Sequence, residues 1–175
     1  MNASATDLAL LVLRLTLGIV FLAHGYNHIF GGGKIAGTGR WFDSLGMRPG
    51  LLHAWVASLT ELGCGALLVL GLLTPLAAAG VIGVMVVAWI TNHRNAGFFV
   101  FRRPTEGWEY VMTLTLIGFV AAILGSGAWG VDPHIGLQRL FGWTGFWIAL
   151  GAGVGGGLAL LAVFWRPPRK DAAAA

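Results

Sequence analysis

The sequence predicts an all-α protein, a polytopic membrane helical bundle, and three observations support this fold class. Only 10% of the 175 residues are charged, whereas soluble domains carry about 25%. Apolar residues make up 57% of the chain, which is more than a soluble core could hide from water. Five long apolar segments lie near 8–30, 51–73, 75–92, 107–125 and 143–165, and a span needs about 20 residues. We therefore expect no soluble catalytic domain.

The basic residues predict the orientation of these spans. Alternate threading places nine of the eleven Lys and Arg residues on one side: Lys34, Arg40, Arg48, Arg94, Arg102, Arg103, Arg166, Arg169 and Lys170. Lys and Arg near span ends stay in the cytoplasm, so we expect the N-terminus outside and the C-terminus inside a bacterial inner membrane. The pI near 10 then reflects topology and headgroup contact, and no nucleic-acid partner is expected.

The first three spans are delimited by turn-forming residues. The span at 8–30 ends at three consecutive glycines, and Asp7 before it argues against a cleaved signal peptide. A polar loop is expected up to Gly50. Thr74 and Pro75 form a very short turn, so the second and third spans are antiparallel neighbours.

The fourth and fifth spans flank the largest external loop, residues 126–142, in which 135–141 is a candidate short surface helix. The fifth span has tryptophan at both ends, which is typical of a spanning helix. Its middle contains two pairs of small residues four apart, Gly151 with Gly155 and Gly153 with Gly157. Such pairs predict close helix–helix association.

Ionisable residues within spans are costly, so they mark a function or pair with one another. Four stand out: Arg14, His24, Glu61 and Glu109. Arg14 and Glu61 have opposite charge and similar depth, which predicts a direct or relayed pair between the first two spans. Either this pair only fixes helix register, or Glu61 is a buried carboxylate that accepts a proton or a ligand hydrogen bond.

The histidines form a second pattern. His24, His28, His53 and His93 fall in the predicted cytoplasmic half, and with Glu61 and Glu109 they are candidates for one polar cavity that opens inward. His24 and His28 are adjacent on one helix face, and with His93 they make a weak metal-ligand set. No metal is predicted from it, and a haem is not expected. Alternatively, His28, His53 and His93 are interfacial residues that touch headgroups or water.

A few further residues are candidates for contact with a ligand. Tyr26, Asn27 and Tyr110 are plausible hydrogen-bond partners for a ligand headgroup. Cys64 shares a helix face with Glu61, and we expect it to pack as an inert apolar side chain. Because it is the single cysteine, no internal disulfide or C-x-x-C pair can form. Redox chemistry would therefore require a quinone, a metal or a partner.

Four segments in order carry a family resemblance: 14–18 with 21–25, 61–65 with 71–74, 97–99 with 107–110, and 125–127 followed by Trp129 and Asp132. They resemble the DoxX family over roughly residues 8–135. The resemblance implies a four-helix membrane core with an external loop over residues 1–135. Residues 136–175 would add an external amphipathic segment, a fifth transmembrane helix and a basic cytoplasmic tail.

The DoxX family is named for a membrane subunit of an archaeal thiosulfate:quinone oxidoreductase, and other members are linked to thiol-stress complexes. The resemblance thus implies a membrane subunit of a redox-linked, quinone- or thiol-related complex, with other redox subunits as partners and a quinone as the candidate cofactor. Arg14, His24, Glu61 and Glu109 are the matching polar residues. The alternatives are a binder or transporter of a small molecule or lipid, and a scaffold for complex assembly. Whether the chain is itself an enzyme stays open.

Overall fold

The computed structural model describes residues 3–101 and 106–168, and within them the chain is a helical bundle without a β-sheet. The helices are α1 (Ala3–Phe30), α2 (Lys34–Ser44), α3 (Gly50–Leu70), α4 (Thr74–Ala88), α5 (Glu109–Leu124) and α6 (Trp143–Phe164). Helix α4 continues into a π-helical turn at Trp89–His93, and α6 is π-helical over Ala149–Gly155. The predicted all-α class is confirmed. The basic residues Arg102, Arg103, Arg169 and Lys170 lie outside the described residues.

Four of the helices are long and apolar enough to cross a membrane: Ala5–Phe30, Gly50–Leu70, Thr74–His93 and Trp143–Phe164. The predicted fourth span, 107–125, is shorter as a helix. The backbone N–H groups of Gly107 and Trp108 donate to carbonyls of Phe99 and Gly97, so α5 begins only at Glu109. Its 16 residues rise about 24 Å. The architecture is that of a multi-pass membrane protein.

Helix α2 corrects the prediction of a polar loop before Gly50. Its 11 residues are amphipathic: Ile35 and Phe42 pack against Met47 in a small apolar cluster, while Arg40 and Trp41 are exposed. The Thr38 hydroxyl donates to the carbonyl of His28 at 2.8 Å and fastens α2 to the end of α1. The segment's average polarity hid this apolar face.

The core is a four-helix bundle in which α1 packs along α3, and α4 packs along α5 and α3. Its buried apolar side chains include Leu17, Phe21, Leu68, Ile82 and Leu114. Because lipid tails are as apolar as these side chains, close packing rather than removal from water holds them together. Helix α6 packs against α4, so it is part of the same body.

Glycines set the close approach of α6 to α4. A Cβ atom on Gly153 would lie 2.9 Å from the Ala79 carbonyl oxygen, and one on Gly157 would lie 3.0 Å from that of Gly83. A Cβ on Gly151 would meet nothing within 4 Å. The predicted pair Gly153 and Gly157 therefore packs within the chain, whereas Gly151 and Gly155 face outward.

The two ends of the bundle are built differently. The hairpin end contains the α3–α4 turn and the loop before α6, where two short 3₁₀ turns, Asp132–Ile135 and Leu137–Leu140, replace the predicted surface helix at 135–141. The opposite end, called the basic end, carries Lys34, Arg40, Arg48, Arg94 and Arg166.

At the basic end a clasp joins the α2–α3 linker to the end of α6. Met47 and Trp165 form an isolated antiparallel bridge, and the Arg166 N–H donates to the Gly46 carbonyl at 2.8 Å. The Trp165 indole N–H donates to the Leu45 carbonyl at 2.9 Å. A Cβ on Gly46 would lie only 2.1 Å from the Arg166 oxygen, so only glycine permits this approach.

Candidate functional site

A cavity of about 430 Å³ lies in the half of the bundle next to the basic end, and all six helices contribute to its wall. Its polar lining consists of His24, His28, His53, Thr60, Glu61, Thr91, Asn92, His93, Glu106 and Tyr110. Most of the remaining lining is apolar and comes from α3, α4 and α6. The prediction placed four histidines, Glu61 and Glu109 in one cavity; the histidines and Glu61 line this one, and Glu109 does not.

Glu61 and His28 face each other across α3 and α1. Glu61 is buried, with 4% of its surface exposed, and its Oε2 lies 3.0 Å from His28 Nδ1. The two groups are close enough for an ion pair, yet they are not aligned as a hydrogen bond. Among the described residues neither atom has a hydrogen-bond partner. Each is thus the other's ion-pair partner, in a geometry that leaves the hydrogen-bonding capacity of both atoms unsatisfied.

His53 is a second buried polar group in the wall. Its burial argues against the alternative that it touches headgroups or water. Only 3% of its surface is exposed, and its ring lies edge-on to Phe164 at 4.9 Å. Its Nε2 has no hydrogen-bond partner within the described part of the chain. The spacing of eight residues from Glu61 places both on one face of α3, and this spacing was a usable sequence signal.

His24 and His93 have defined ring orientations in the wall of the cavity. His24 Nδ1 lies 2.9 Å from the Val20 carbonyl, and His93 Nδ1 lies 2.7 Å from that of Glu106. Because a carbonyl only accepts, both Nδ1 atoms donate, and Nε2 of the neutral rings is left as an acceptor. The Tyr110 ring stacks beside His24 at 6.3 Å between centroids.

Arg14 does not pair with Glu61, and this prediction is wrong. Its guanidinium is buried at the hairpin end, where it donates to the carbonyls of Val69 and Leu68 and, at 2.8 Å, to that of Trp129. Asp132 is the acid whose charge acts on it. The long Arg side chain reaches carbonyls freed by the end of α3, so it needs no carboxylate in the middle of the bundle.

The other predicted polar residues divide between cavity and periphery. Glu109 is half-buried but does not line the cavity, since its neighbour Tyr110 takes that place on α5. Tyr26 is 61% exposed and packs against Phe30. Asn27 is also exposed, beside Gly31. The lining residues Trp41, Phe42 and Met47 were missed because nothing in the sequence indicated that α2 folds against α3.

His24, His28 and His93 do not assemble as a metal site. Across residues 3–101 and 106–168, no three or more His, Cys, Asp or Glu side chains are placed to hold a metal ion. The Nδ1 atoms of His24 and His93 are already used by backbone carbonyls, and these rings are held apart on α1 and on the turn after α4. The weak metal-ligand set, from which no metal was predicted, does not come together in the described part of the chain.

The fold and the cavity define a class: a multi-pass membrane protein with a partly polar cavity inside a helical bundle. Residues 9–94, just under half of the chain, match the DoxX family model, so this segment is similar to the family that the sequence resembles. The match runs from α1 to the turn after α4 and includes Glu61 and the four cavity histidines. Neither the curated proteins nor the solved structures gave a match.

Proposed function

We propose that the chain is a membrane subunit of a redox-linked complex and that its cavity holds a quinone headgroup. The observation that carries the proposal is the set of buried polar atoms in the wall that lack an aligned hydrogen bond among the described residues: Glu61 Oε2 and His28 Nδ1, which face each other at 3.0 Å, and His53 Nε2. A buried polar atom without a partner costs about 1–3 kcal/mol. A headgroup that hydrogen-bonds to these atoms would remove that cost, and the apolar remainder of the wall suits its ring.

The polar wall also supports a proton-transfer role. A bound quinone supplies two-electron, two-proton chemistry. Glu61 and His28 lie 3.0 Å apart, so a proton at Nδ1 of His28 needs only a small ring movement to reach the carboxylate. Tyr110 and His93 continue the polar lining toward the basic end, from which protons would enter, whereas His24 lies one turn deeper than His28 on α1.

The proposal assigns the electrons to a partner subunit. Cys64 is a free thiol, but it packs against Gly80 rather than in the cavity wall. The basic residues Arg40, Arg48, Arg94 and Arg166 are exposed at the basic end and offer a cationic surface for an acidic partner. We further propose that this end faces the cytoplasm of a bacterial cell, as the excess of Lys and Arg favours.

A binding experiment tests the proposal. The purified protein in detergent is titrated with a short-chain ubiquinol, the reduced form whose hydroxyl groups can donate to the Glu61 carboxylate, and affinity is measured from the rise in Tm. Glu61→Gln should weaken binding about tenfold or more, because a hydrogen bond to a charged group contributes about 1.5–3 kcal/mol. Glu109→Gln is the matched control, since it removes a carboxylate that lies at the same end but outside the wall.

The outcomes separate the candidate functions. If the wild-type protein and Glu61→Gln bind the ubiquinol with equal affinity, the proposed site is wrong. Stabilisation by phospholipid but by no quinone would favour the alternative of a small-molecule or lipid binder or transporter. Reporter enzymes fused to the C-terminus can show on which side of the membrane it lies. If they place it outside, the proposed orientation is wrong, but the proposed binding site is not affected.

A further inference from the structure

Helices α3 and α6 touch at the basic end and then separate. Beyond the clasp, Ala54 of α3 and Leu161 of α6 still share one apolar cluster. Thr60 lies about 15 Å along α3 from its start, and Gly156 lies about 12 Å along α6 from its end. Both line the cavity, which therefore extends between the two helices at this depth.

The side chains along this gap leave it open. Val56 of α3 is 40% exposed, and Ala152 and Gly156 of α6 are exposed as well, although all three line the cavity. A Cβ on Gly156 would meet nothing within 4 Å. Because these exposed faces lie within apolar spanning helices, the medium outside the gap is the hydrocarbon of the bilayer.

Helix α4 forms the back wall of the gap, and small residues line it there. Its Gly83 and Gly80 line the cavity, and the atom nearest to a Cβ on Gly83 would be the Gly153 carbonyl oxygen at 3.3 Å. The Glu61 carboxylate, which faces His28 at 3.0 Å, is one residue beyond Thr60 on α3. A continuous space thus connects a polar centre with lipid.

We infer that the gap between α3 and α6 is a lateral portal, through which the apolar chain of a lipid-borne ligand leaves the cavity while its polar head binds at Glu61. The inference rests on the proposed function, because it takes the same cavity as the binding site. It adds the ligand class: an amphipathic molecule with a compact hydrogen-bonding head and one slim apolar chain.

The test fills the portal and compares two ligands with the same head. Gly156→Leu places a side chain in the gap, and Gly151→Leu is the matched control on the same helix, since its Cβ also meets nothing within 4 Å but does not line the cavity. Affinity is measured in lipid nanodiscs for a long-chain ubiquinol and for its analogue with one isoprene unit, both kept reduced so that their hydroxyl groups can donate to Glu61. Gly156→Leu should lower the ratio of long-chain to short-chain affinity about tenfold, and Gly151→Leu should leave it unchanged.

The result is distinguishable from failure of the site itself. If Glu61→Gln weakens both ligands while Gly156→Leu leaves the ratio as in Gly151→Leu, the portal is wrong and the proposed function stands. If Glu61→Gln changes neither affinity, the proposed function fails. Ala152→Leu, one turn away in the same gap, is the second variant should Gly156→Leu not fold, and an unchanged ratio in it would likewise overturn the portal.

Discussion

The carboxylate of Asp132 accepts a hydrogen bond of 2.6 Å from the backbone N–H of Leu73, a residue held at a φ of +49°. Its second oxygen accepts from the N–H of Thr74 at 3.0 Å. A left-handed backbone costs a branched residue about 1–2 kcal/mol, so this buried carboxylate both offsets that cost and caps α4. The loop before α6 thereby fixes the α3–α4 turn.

Removing this carboxylate should destabilise the bundle. We expect Asp132→Ala to lower the free energy of unfolding by about 1–3 kcal/mol, because two buried N–H donors lose their acceptor. Asp7→Ala is the control: Asp7 also accepts from a backbone N–H, that of Ala128, but on an exposed surface where water can replace it. Thermal unfolding in detergent, followed by circular dichroism, measures both, and equal losses would contradict the assigned role.

The separate partners of Arg14 and Glu61 predict additive effects. Arg14 binds carbonyls at the hairpin end, and Glu61 faces His28. The destabilisation in Arg14→Leu combined with Glu61→Leu should equal the sum of the single changes within about 0.5 kcal/mol. If the double variant loses clearly less stability than the sum of the single losses, Arg14 and Glu61 interact after all, as the sequence predicted. His28→Leu with Glu61→Leu is the positive control for coupling.

The contact between Gly80 and Cys64 predicts a rescue experiment. A Cβ on Gly80 would lie 2.2 Å from Cys64 Sγ but 3.6 Å from Cys64 Cβ. Gly80→Ala should therefore destabilise the protein by about 1 kcal/mol, the low end for overpacking since the thiol can rotate. Adding Cys64→Ala should restore most of the loss. The Tm values of the single and double variants test this prediction. A double variant with a lower Tm than Gly80→Ala would contradict the contact.

The two glycine pairs of α6 predict opposite tolerance to substitution. Gly153→Val forces a side chain against the Ala79 carbonyl and should cost about 1–3 kcal/mol. Gly151→Val points outward and should change stability by less than about 0.5 kcal/mol. Unfolding in detergent measures both. Should Gly151→Val prove as harmful as Gly153→Val, the packing of α6 on α4 would have to involve the other face.

The sequence by itself determined the membrane class, the number of apolar segments and most of their ends. Hydrocarbon thickness sets span length, and glycine ends helices locally, so both follow from composition and spacing. The depth of His24, His28, His53 and Glu61 also followed, because rise per residue is constant along a helix. This was enough to predict that they share a cavity.

Tertiary structure alone decided which polar groups meet. Arg14 and Glu61 have compatible charge and depth, but helix ends offer free carbonyls, and only the fold shows that Arg14 reaches those of Leu68, Val69 and Trp129. Helix α2 is stabilised by its apolar face, which is buried only because it packs against Met47 and α3. The gap between α3 and α6 depends on where two helices diverge, which is a property of their packing and leaves no pattern in either segment.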